Sequence, residues 1–194
     1  MAFTHGYADN GDLHMYYEVH GEAGEAQTPL LLIHGGGSTI ETNFAELIPL
    51  LAESRQVIAV EEEGHGRTEP IDRPLTAEHS AEDVVAVLEK LKVASVDVLG
   101  FSSGGHTALA LAMRHPAIVR RLIVASTFVG RDGLADDFWN GMERATADNM
   151  PEPYKNADHR LNPEPGHLGE LGASDGDLRT MHATVPYLLR FLDE

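Results

Sequence analysis

The chain has 194 residues, enough for one domain with a buried core, and its 14 Lys+Arg against 31 Asp+Glu give a net charge of −17. A surface this acidic repels phosphate backbones and anionic headgroups, so neither nucleic acid nor a membrane is expected as a partner. There is no cysteine, which excludes disulfides and thiolate chemistry. Residues 1–10 carry no basic and apolar leader, and no apolar run approaches bilayer length, so a cytoplasmic location is expected.

In chain order, a weak strand over 3–8 and a stronger one over 13–19 flank a turn at Asn10-Gly11, predicting an antiparallel start. A buried strand over 29–34 then runs into His34-Gly35-Gly36-Gly37-Ser38. Without Cβ atoms, those glycines let backbone N–H groups approach a substrate closely. A third apolar strand, over 56–61, feeds Glu61-Glu62-Glu63-Gly64-His65-Gly66-Arg67-Thr68, whose three glutamates read as a solvated loop edge. Residues 76–92 place Ala81, Val84, Val85, Leu88 and Leu91 at helical spacing behind Thr76 as N-cap.

The strand over 95–100 leads into Gly100-Phe101-Ser102-Ser103-Gly104 and a helix over 103–114 that Pro116 closes. A Gly-x-Ser-x-Gly turn between strand and helix is the pattern that exposes a nucleophilic serine above a sheet. A further strand spans 120–126. Alternating strands and helices predict an α/β fold, a mostly parallel sheet covered on both faces.

Residues 1–131 read as the core and residues 132–194 as a helical cap. Leu134, Phe138, Trp139, Met142 and Ala145 share a helical face, and residues 150–172, with Pro151, Pro153, Pro163 and Pro165, read as a mobile loop. Ser174 caps a last helix through Leu178, Met181, Val185, Leu188 and Leu192, interrupted by Pro186. His159, His167 and His182 lie in this cap, and with no His-Glu-x-x-His spacing a metal site is not expected.

Three motifs in this order, His34-Gly35-Gly36, an acid ahead of Gly64-His65-Gly66-Arg67-Thr68, and Gly100-Phe101-Ser102-Ser103-Gly104-Gly105, resemble the α/β-hydrolase superfamily over about residues 5–130. The resemblance implies an α/β-hydrolase fold and a serine hydrolase acting on a small carboxyl ester or similar acyl substrate, without a cofactor. It carries the nucleophile onto Ser102 and the oxyanion hole onto the amides of Gly36 and Ser103. His34 and His65 fall in family loops and read as hydrogen-bonding struts, while His106 stands too near Ser102 in sequence to be a conventional base.

Members of that superfamily continue past the cap with two strand–helix units that supply the acid and the histidine base. No stretch after Arg131 reads that way, which leaves Asp132 as a substitute acid and the three cap histidines as substitute bases. The alternative is a non-catalytic fragment that binds without turnover. Without those strands the 120–126 strand is an open edge, expected to be covered by the C-terminal helix, a second copy of the chain or a complementing fragment.

Overall fold

The structure, a computed structural model, describes residues 3–24, 27–130, 133–142 and 151–161. Strands β1 (Phe3–Asn10) and β2 (Leu13–His20) form an antiparallel hairpin. Its register pairs Asn10 with Leu13, leaving a two-residue loop in which Gly11 takes φ 63°. Such a loop favours positive φ, which glycine adopts without strain.

Strand β2 also pairs antiparallel with β4 (Val57–Val60), whereas β3 (Leu30–Ile33) runs parallel to both β4 and β5 (Val96–Phe101). With β6 (Val119–Ala125) parallel to β5, the six strands lie in the order β1-β2-β4-β3-β5-β6. The predicted strands are all present, each within two residues of its expected ends.

Alternate residues of the central strands serve opposite faces. Leu31, Ile33, Ile58, Val60 and Val98 pack with Val84, Val87 and Leu88 of α3 (Ala77–Lys90) and Leu111 of α4 (Ser103–Arg114). Leu30, Leu32, Val57 and Ala59 pack with Ile40 and Phe44 of α1 (Ile40–Phe44) and Ile48 and Ala52 of α2 (Leu47–Ala52). Burial on both faces explains why these strands are apolar runs rather than alternating patterns. The two short helices were not anticipated. The local signal for α1 is a capping box, in which Thr42 N–H donates to Thr39 Oγ1 (3.2 Å) and Thr39 N–H to Thr42 Oγ1 (2.8 Å), whereas α2 has no side-chain cap.

The outer side of β6 pairs with no other described strand, and Ile123 and Val124 on it are 53% and 37% exposed. Beyond it, α5 (Asp136–Met142) places Phe138 and Trp139 edge-on to Phe128, and Trp139 is buried. One expectation is corrected here: within the span read as a loop, residues Glu152–Leu161 form a helix, α6. Prolines at 151 and 153 fall at its N-terminal end, where missing N–H groups cost no helical bond. Pairs Lys155–Glu152 and Arg160–Glu41 tie it together and to α1. Ala145, Asp132, His167, His182 and the helix expected from Ser174 lie outside the described residues. Among the described residues no helix is long and apolar enough to cross a membrane.

Candidate active site

Ser102 sits between β5 and α4 with φ 53° and ψ −119°. A non-glycine residue held there is strained by about 1–3 kcal/mol, which only the surrounding packing can maintain. That packing is visible. Ser102 N–H donates to Ala125 O (2.9 Å), and Ser102 O accepts from Gly105 N–H (3.0 Å) and Thr127 Oγ1 (2.8 Å). Strand, helix and the turn after β6 thus all hold the one residue in its unfavourable conformation.

The glycine loop after β3 lies against this turn. A Cβ on Gly35 would stand 3.1 Å from the Ser102 Cβ, and one on Gly36 would stand 3.3 Å from Ser103 Oγ. The loop N–H groups on either side of Gly36 are committed elsewhere. Gly35 N–H donates to Asn43 Oδ1 (2.8 Å) and Gly37 N–H to His65 Nε2 (2.9 Å). Among the described residues the N–H groups of Gly36 and Ser103 have no acceptor. Two unclaimed N–H groups therefore flank Ser102, one from the loop and one from the first turn of α4.

Two histidines brace this arrangement and are unavailable as bases. His34 accepts Glu62 N–H at Nε2 (3.0 Å) and donates from Nδ1 to Gly35 O (2.8 Å). Complete burial pushes it down to about 3, so it is neutral at any working pH. His65 likewise accepts at Nε2 and donates from Nδ1 to Glu63 O (2.9 Å), and burial lowers its pKa. His106 is buried, donates to Phe128 O (2.8 Å), and is also shifted down by burial. His159 is exposed on α6. Among the described residues the Ser102 hydroxyl has no side-chain hydrogen-bond partner.

The expectation that Glu61, Glu62 and Glu63 form a solvated edge is overturned: their exposures are 0%, 7% and 3%. Each has a partner that makes burial tolerable. Glu61 accepts from the Arg67 backbone N–H (2.7 Å) and guanidinium (2.9 Å). Glu63 accepts from Arg73 Nε (2.6 Å) and Ile71 N–H (3.0 Å). Among the described residues Glu62 has only neutral donors, Thr107 Oγ1 at 2.6 Å and the Ser80 side chain. Its carboxyl lines a pocket of about 50 Å³ together with Gly36, His65, Thr76, Ser103 and Thr107.

With no cation beside it, burial pushes Glu62 up to about 7. The folded state therefore prefers the neutral acid. The stability this gives is full below the unfolded value of 4.5, falls as pH rises toward the folded value, and is gone above it. The full span corresponds to about 3 kcal/mol. Glu62→Gln, which keeps the acceptor for Thr107, is expected to lose this dependence. Thermal unfolding at pH 5 and pH 8 measures it: the difference between the two proteins should favour the variant at pH 8 by roughly 6–12 °C. Parallel curves would mean that Glu62 is ionised in the fold.

With the geometry in place, comparison with known proteins decides the family. The model of the α/β hydrolase fold matches residues 28–154, which span β3 through α5 and into α6. The chain belongs to the α/β-hydrolase family. Among curated relatives of this chain, 2-hydroxymuconate semialdehyde hydrolase of Pseudomonas sp. (strain CF600) is 38% identical over 118 residues, 59% of this chain and 40% of the relative. Pimeloyl-[acyl-carrier protein] methyl ester esterase of Neisseria meningitidis is 36% identical over 118 residues, 61% of this chain and 43% of the relative. The chain thus spans about two-fifths of these relatives' length. In fold it is similar to the enol-lactonase of Burkholderia xenovorans LB400, with TM-score 0.67 at 22% identity, covering 94% of this chain and 72% of that one.

Proposed function

We propose that the protein is a serine hydrolase for a small carboxyl ester or similar acyl substrate, with Ser102 as nucleophile and the N–H groups of Gly36 and Ser103 as its oxyanion hole. The observation that carries this reading is the strained Ser102 backbone at the head of α4, flanked by two N–H groups with no acceptor among the described residues. Maintaining strain opposes stability and so points to function, and two N–H groups without a described acceptor beside it are available to a substrate oxygen.

In the reaction, Ser102 Oγ attacks the substrate carbonyl carbon and its proton passes to a base that no described residue supplies. The carbonyl oxygen becomes an oxyanion that the two N–H groups and the N-terminal end of α4 stabilise. Collapse expels the alcohol, which takes the proton from the base and leaves an acyl-serine for water to hydrolyse. Residues 132–194 act as the cap in this reading, and Phe128, Phe138 and Trp139 form the apolar seam between cap and core. The relatives support hydrolysis of an acyl group: besides the methyl ester esterase, pyrrolizixenacetamide deacetylase of Xenorhabdus hominickii is 32% identical over 119 residues, 61% of this chain and 43% of the relative.

The test is release of nitrophenolate from p-nitrophenyl acetate by the protein and by its Ser102→Ala variant. Release that depends on Ser102 supports the proposal. Equal rates from the two would leave a fold that binds without turnover.

A further inference from the structure

We propose that the cavity under the N-terminal ends of the parallel strands is a binding site for a small tetrahedral oxyanion with the size and charge of inorganic phosphate. This is the end of the sheet opposite Ser102, so the site is separate from the hydrolase reading. The cavity, of about 270 Å³, is lined by Gln27, Thr28, Ser54, Arg55 and Arg120. It brings two arginines together in a chain that has only 14 basic residues against 31 acidic ones.

Asp97, near the start of β5, lies between them. Arg120 grips it with both ends of its fork, Nε to Oδ1 at 2.8 Å and Nη2 to Oδ2 at 2.6 Å. Arg55 Nη2 adds a third bond, to Oδ2 at 2.7 Å, and also donates to Thr28 O. The Arg120 hydrogen bonds, with Arg55 adding to them, hold Asp97 down to about 2, so it stays a single fixed negative charge. Among the described residues, two guanidiniums facing one carboxylate leave one positive charge without a counterion.

The donors are in surplus as well as the charge. Arg55 Nε is buried and has no hydrogen-bond partner among the described residues. An unpaired N–H of a charged group is costly to bury and is rare in folded proteins. An anion in the cavity supplies the counterion that Asp97 alone does not, and it adds acceptors beside an Arg55 guanidinium whose donors outnumber its described partners. Arg55 approaches from the turn before β4 and Arg120 from β6, and Ser54 and Thr28 line the same space. A tetrahedral oxyanion presents acceptors in several directions and suits such a lining better than a planar carboxylate. The strongly negative net charge of the chain does not prevent this, because charges beyond about 8 Å are largely screened at physiological salt.

The experiment is thermal unfolding in increasing sodium phosphate, with sodium chloride and sodium acetate series at matched ionic strength. A saturable rise is expected with phosphate, about 3 °C at ten times the dissociation constant, and a smaller one with acetate or chloride. Ser54→Glu places a carboxylate at the exposed rim of the cavity and is expected to abolish the phosphate response without lowering the midpoint in chloride. Ser102→Ala should respond to phosphate as the parent does. Equal responses to phosphate and chloride, or a Ser54→Glu protein that still responds, overturns the proposal.

Discussion

Gly104→Ala is expected to lower the stability of the protein by about 3 kcal/mol or more, a fall of roughly 6–12 °C in the unfolding midpoint. The added Cβ would be driven into the backbone at the end of β3, against His34 O and 2.6 Å from Ile33 O. Those atoms cannot swing aside like the tip of a side chain. Ile33 is paired in register with Val60 on one side and Gly100 on the other, so relief must come from moving α4 away from the sheet. That movement would also separate Ser103 from Gly36. Gly141→Ala is the control, because nothing lies within 4 Å of a Cβ built on that α5 residue. In a helix this exchange is neutral or stabilising by up to about 1 kcal/mol. Equal midpoints for the two variants would show that the α4–β3 contact is loose.

The same contact shows why some of this structure was legible in the sequence. Strands such as Leu30–Ile33 and Val57–Val60 are buried on both faces, and an apolar run bounded by turn residues states that directly. Ser102 was legible because a strand-to-helix turn this tight admits only glycine at Gly100 and Gly104, so the backbone constraint is written as residue identity. The burial of Glu61, Glu62 and Glu63 was not legible. What permits it is partners supplied by other segments, among them Thr107 from a position 45 residues away, and no local pattern announces such pairs. The division of the loop N–H groups was hidden for the same reason, since Asn43 and His65 reach Gly35 and Gly37 from 8 and 28 residues away. Helix α6 was concealed by its prolines, which as readily begin a helix as break one.

Because no described residue supplies a base to Ser102, turnover by the 194-residue chain is expected to be slow, several orders of magnitude below that of a complete triad, and to rise with added imidazole. Without a positioned base a serine hydroxyl keeps its proton at neutral pH, and loss of one triad member costs about 10⁴–10⁶ in rate while the oxyanion hole retains roughly 10³-fold over water. His34 and His65 cannot serve, because each ring has both nitrogens engaged in hydrogen bonds to the loops around Gly36. Dissolved imidazole can enter beside Ser102 and accept the proton that no described residue takes. The p-nitrophenyl acetate rate should therefore climb linearly with imidazole for the parent protein, above the background reaction of imidazole with the ester, and stay on that background for Ser102→Ala. Fast turnover that ignores imidazole would instead place a base within this chain. Replacing His159, His167 and His182 one at a time would then identify it, since a cap can fold over Ser102 whereas the loop histidines are held by the sheet.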